Sequence, residues 1–224
     1  MKILDIPQVG KIGQYVVQGG RYGQIKRAYV IPMDPKTPIQ LILRRNLTRV
    51  TQSWRTLTQE ERDFWTALAL TIDSVPHGGT QGHLSGMQLY SKINCINLLC
   101  GNPIAVLPVA RPVLGARVAT AFAITNAAGA VVLKLATVGE PTRANPWIIR
   151  ASAPQSAGCN VCDDLRIIGL APAPENGLCD ISALFLARYG VPSAGRKIWV
   201  SVAATQDGWQ DLPSEFVATV PPLA

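Results

Sequence analysis

The chain is short of charge. Asp, Glu, Lys and Arg make up 16% of its 224 residues, against about 25% in ordinary globular domains. Aromatics reach 6%, and there are only two histidines. Both histidines, His77 and His83, fall in a segment rich in Gly, Ser and Pro, DSVPHGGTQGHLSG from Asp73 to Gly86. No nucleophile–base pairing can be drawn to them by spacing, so no catalytic set is expected. Long apolar runs are absent as well. Mean hydropathy is +0.18, yet no run approaches the about 20 residues of a membrane helix. The opening MKILDIPQVGKIG places Pro and Gly where the apolar centre of a signal peptide would lie. No signal peptide and no membrane insertion are therefore expected, with synthesis in the cytoplasm. The glycines at 10, 13, 19, 20 and 23 are not followed by GK[ST], which excludes a phosphate loop.

The cysteines do not form a framework. Cys95 and Cys100 fall on one predicted helix, Cys159 and Cys162 form a CxxC in a predicted loop, and Cys179 follows. A zinc site needs four ligands, usually as two paired clusters, and the second pair is missing here. No metal and no cofactor are expected. Free buried thiols are expected, with a Cys159–Cys162 or a Cys159–Cys179 disulfide as the alternative in an oxidising space.

What charge there is lies at one end. Residues 1–62 hold 11 Lys/Arg and 4 Asp/Glu, whereas the remaining 162 hold 10 of each. A basic region can attract a phosphate backbone or an acidic protein face. Arg44, Arg45, Arg49 and Arg55 lie largely off the apolar stripe of their helix, and the plain reading of them is a solvated face.

The sequence is organised around Lys36–Leu70, KTPIQLILRRNLTRVTQSWRTLTQEERDFWTALAL. Thr37, Pro38 and Gln40 form an N-terminal capping signature. Ile39, Leu43, Leu47, Val50 and Trp54 then recur at the spacing of one helix face. Thr58 and Glu61 cap a second helix, with Phe64, Trp65 and Leu68 as its buried stripe. Ser85 and Gln88 cap a third, stapled by Leu84 and Leu89. Met87, Tyr90, Ile93 and Ile96 carry its buried face, and Gly101 followed by Asn102-Pro103 ends it. Trp54 and Trp65 are expected in the core.

Ahead of the helices, Gln14–Gln18 and Gly23–Ile31 are β-prone and Gly19-Gly20 supplies a turn, which predicts a hairpin arm. Such a hairpin is marginal alone and must pack on something. Composition changes at Gly101: 12 of the 17 prolines lie beyond it. Ile104–Pro112 reads as a linker or first edge strand. Short β-prone runs follow at Val118–Thr125, Ala130–Thr137, Trp147–Ala153, Leu165–Leu170, Lys197–Thr205 and Ser214–Val220. Val118, Thr120, Phe122 and Ile124 are expected on one face of the first, and Val131, Leu133 and Leu135 on one face of the second. Asp180–Tyr189 reads as a short crossing helix. The fold class is thus α+β, with an arm (1–35), a helical region (36–102) and a β-sandwich (103–224).

Two resemblances attach to these segments. Gly195–Pro221, a strand, a DG turn with a following Trp and a closing strand into Pro, resembles the final hairpin of a fibronectin type III or similar immunoglobulin-like domain. The helical region resembles uncharacterised bacterial and prophage-associated proteins with the pattern TPxQ…R…W..LT…R..W. Here that pattern is Thr37-Pro38, Gln40, Arg45, Trp54, Leu57-Thr58, Arg62 and Trp65, then Ser85-Gly86, Gln88, Tyr90, Lys92 and Asn94. The resemblances imply a phage-like or self-assembling structural protein, and no catalytic residues. The expected function is a non-enzymatic subunit whose partners are copies of itself and other structural proteins of the same particle, in a virion or extracellular assembly. The arm would supply the contacts through Tyr15, Val17, Tyr22, Ile25, Tyr29 and Ile31. The alternative is a nucleic-acid-binding protein that uses Arg44, Arg45, Arg49 and Arg55.

Overall fold

The computed structural model describes residues 9–20, 23–31, 34, 36–73, 82–112, 118–127 and 130–223. Four helices and eleven strands lie among them, and every sheet is antiparallel.

The arm is a three-stranded meander. β1 (Gly10–Ile12) pairs with β2 (Tyr15–Gly20), which pairs with β3 (Gly23–Ala28). The extra strand exists because Gly13 takes φ +59 at the turn between Ile12 and Tyr15, a conformation glycine adopts without penalty. Gly19 and Gly20 pair with Gln24 and Gly23. They therefore belong to β2 and do not form the expected turn, and positions 21–22 lie outside the described residues.

All three capping signatures form. The Thr37, Thr58 and Ser85 side chains accept the backbone N–H of Gln40, Glu61 and Gln88, whose side chains reach back to the cap N–H groups. They open α1 (Pro38–Thr56), α2 (Gln59–Ala69) and α3 (Gly86–Leu99). The core between these helices is aromatic. Tyr90 is fully buried, with Trp54 and Trp65 rings each 5.1 Å away, the latter edge-on, and its hydroxyl shares a 2.8 Å hydrogen bond with Ser53. Trp65 is fully buried, whereas Trp54 is half-buried. Three stripe residues are corrected: Leu47, Phe64 and Met87 are exposed. A period names a face, but a face is buried only where a neighbour covers it. α1 and α2 each pack on α3, a shorter helix than α1. Gly86 is part of that contact, since a Cβ there would come within 3.0 Å of the Thr66 backbone nitrogen.

Residues 104–110 are a strap held by side chains. Asn94 accepts the Ala105 N–H at 2.7 Å and donates to its carbonyl at 3.2 Å. Trp65 Nε1 donates to the Val106 carbonyl at 2.7 Å, and Trp209 Nε1 to that of Val109 at 2.9 Å. Every one of these bonds satisfies a polar group that burial would otherwise penalise.

The C-terminal half has two sheets on a shared core. One contains β4 (Ala119–Ala127), β5 (Ala130–Thr137) and β8 (Leu178–Asp180), in that order. The other runs β7 (Arg166–Leu170), β6 (Trp147–Ala151) and β9 (Lys197–Gln206), whose far edge pairs first with β10 (Trp209–Gln210) and then with β11 (Ser214–Thr219). Val131, Leu133 and Leu135 of β5 face Trp147, Ile149, Ile198, Val200 and Val202 of the other sheet, with Phe185 of α4 (Ser182–Tyr189) among them. The expected face of β4 shifts part-way. A bulge between Ala119 and Ala121 buries Ala119 and leaves Thr120 exposed, while Phe122 and Ile124 stay inward.

The helical and sheet regions are joined through Trp209. At the β9–β10 turn Asp207 and Gly208 take φ of +50 and +79, as a two-residue hairpin turn requires. That turn presses on α3, so that a Cβ on Gly208 would sit 2.5 Å from the Ile93 carbonyl oxygen. Trp209, 4% exposed, belongs to the core of Val50, Trp65, Leu89, Tyr90 and Ile93, not to the core between the sheets.

Candidate functional site

The arm sheet is the feature with the least support from its own chain. Its strands pack densely only on one another. Cross-strand pairing assigns Ile12, Tyr15, Val17 and Lys26 to one face, and Lys11, Val16, Ile25 and Arg27 to the other. Tyr29 lies on the second face, where Lys11 Nζ stands 3.9 Å over its ring. Lys26 Nζ stands 4.1 Å over Tyr15 on the first. Tyr15, Ile25, Tyr29 and Ile31 are exposed, at 47%, 53%, 43% and 75%. Val17, at the middle of the central strand, is 3% exposed and not available for a contact. Tyr22 lies outside the described residues. The expected contact residues therefore do not form one patch: Tyr15 and Ile25 point to opposite sides. The outer edges of β1 and β3 have no strand partner among the described residues, and such edges can accept a strand from another chain.

The four arginines of α1 are all exposed. Arg44 is committed to Asp34, with Nη1 and Nη2 donating at 2.8 and 3.0 Å. The guanidinium holds the Asp34 carboxyl below the usual carboxylate range, and the carboxylate raises Arg44 in turn. Arg45, Arg49 and Arg55 have no acidic partner among the described residues.

Comparison of the chain with protein-family models, curated proteins and solved structures finds no match. What the side chains can do is therefore read from geometry alone. Among the described residues, no group of three His, Cys, Asp or Glu side chains converges as metal ligands would. His83 Nδ1 lies 3.4 Å from Asp73 Oδ1, both exposed, and the two residues form an isolated bridge. That contact pairs the imidazole with a carboxylate and not with a nucleophile. His77 lies outside the described residues. No helix among the described residues is long and apolar enough to cross a membrane.

All five cysteines are free thiols. Cys179 is buried on β8 and donates to the Pro172 carbonyl at 3.4 Å. Burial, aided by Asp180, pushes its thiol up to about 11. Burial also raises Cys95 and Cys100. Cys159 and Cys162 are half-exposed in the 156–165 loop, where Lys197 Nζ donates to the Cys159 carbonyl at 3.0 Å. Because the thiolate is the reactive form, native protein treated with iodoacetamide at neutral pH is expected to be alkylated at Cys159 and Cys162 well before Cys179. Peptide mapping over time measures this. Equal labelling of Cys179 would contradict its placement.

Proposed function

We propose that the chain is a non-enzymatic structural subunit that assembles with copies of itself, in a phage-like particle (capsid- or tail-associated) or another homopolymer. The observation that carries this reading is the arm sheet. It exposes aromatic and branched side chains on both faces, and β1 and β3 are its outer strands among the described residues. Covering one half-exposed Ile or Tyr gains on the order of 1 kcal/mol, so several together favour a stable contact. The opposite orientation of Tyr15 and Ile25 suits an arm held between neighbours. Lys11, Lys26 and Arg27 would orient it more than add affinity.

In the same reading the C-terminal half is an immunoglobulin-like, fibronectin type III-like β-sandwich. Supporting this, its first, second and fifth strands share one sheet, and its third, fourth, sixth and seventh share the other, counting β10 and β11 as one broken strand. Trp147 on the third strand is buried in the core between the sheets, as a Trp on strand C is in immunoglobulin domains.

Electron microscopy of the purified chain tests the function. Ordered particles, rings or filaments are expected as concentration rises. A field of monomers at every concentration would remove the reading.

A further inference from the structure

We infer that the outer face of α1 is a binding surface for the phosphate backbone of nucleic acid, engaged without regard to base sequence. α1 has four arginines and no Asp or Glu along its 19 residues. Val50 and the half-buried Ile39, Leu43 and Trp54 mark the side that packs inward. All four guanidinium groups lie off that side. From Arg45 to Arg55 the helix rises about 15 Å, the axial length of about four phosphates of one strand.

Beside the exposed Gln52 amide, the guanidiniums are the charged outward donors of this face. The Thr48, Thr51 and Thr56 hydroxyls donate to carbonyls of their own helix. Arg62, on the neighbouring helix, spends Nη2 on the Arg55 carbonyl at 3.0 Å. Arg45, Arg49 and Arg55 are then exposed cations with no anion beside them among the described residues, and guanidinium matches a phosphate oxygen pair bidentately. A lone arginine on a helix is ordinary; three within about a third of the circumference of an acid-free helix, in the half of the chain that carries all its excess charge, make a broad positive face. Asp34 tempers it by holding Arg44. This inference stands independently of self-assembly, although repeated copies would multiply a weak single-chain affinity.

The test is fluorescence anisotropy of a labelled mixed-sequence DNA duplex with the full chain. With about three phosphates neutralised, the plot of log K against log salt has a slope near −3 between about 50 and 200 mM KCl. Replacing Arg45, Arg49 and Arg55 by Gln lowers affinity at least about tenfold at low salt with unchanged circular dichroism. Asp34→Asn releases Arg44, so binding tightens and the slope steepens by about 0.9. Arg143→Gln with Arg196→Gln, both exposed on the sheet region, leaves affinity unchanged. Wild-type chain that fails to bind at low salt overturns the inference. So does a triple variant that binds as wild type, or a chain that binds polyglutamate but not the duplex, which would assign the face to an acidic protein.

Discussion

Trp209→Ala is expected to destabilise the whole chain by about 3–5 kcal/mol, the usual cost of truncating a buried Trp. The side chain comes from the sheet region but fills the core between the helices, and its Nε1 holds the strap at Val109. Truncation opens a cavity beside Trp65 and Tyr90 and leaves the Val109 carbonyl without its donor. Gly208→Ala should be as severe for a different reason. A Cβ there has 2.5 Å to the Ile93 carbonyl oxygen, and φ is +79; neither the helix backbone nor the hairpin turn can yield without disturbing the other. Urea unfolding followed by near-ultraviolet circular dichroism measures both variants. If the sheet region kept its full stability in Trp209→Ala, the two regions would be independent, and a cut near residues 101–112 would release a folded C-terminal half. With Trp209 in the helical core, that fragment is instead expected to expose a large apolar side chain and to aggregate.

The local features of this fold were legible in the sequence. A capping box is decided by residues three apart, and all three formed. Strand faces follow a period of two, so Val131, Leu133 and Leu135 could be assigned to the core. What could not be read depends on distant partners. Nothing near Trp209 announces that it sits with Val50 and Tyr90, more than a hundred residues earlier. Phe64 and Met87 lie in helices of the right period, yet among the described residues they stay exposed. β1, β8 and β10 have two or three residues each, too few for alternation to register. In the arm, β2 and β3 were visible but β1 and the register were not. Register decides which residues share a face, and it separates Tyr15 from Ile25 although both are β-prone and exposed.

Deletion of residues 1–35 is the second large effect expected, and it bears on assembly itself. The arm contributes little dense packing to the rest of the chain. The cap at Thr37 and both cores lie beyond the cut, and the one described ion pair lost is Arg44–Asp34, between two exposed side chains. The shortened chain should therefore keep its fold while losing the arm strands and the exposed Tyr15, Ile25, Tyr29 and Ile31. Sedimentation velocity of the full and shortened chains, at matched concentrations across a wide range, is the most direct measurement. The expected result is an oligomer or polymer for the full chain and a folded monomer for the shortened one. A shortened chain that sediments as the same oligomer would contradict the account, and would place the contacts on the helices or the sheets.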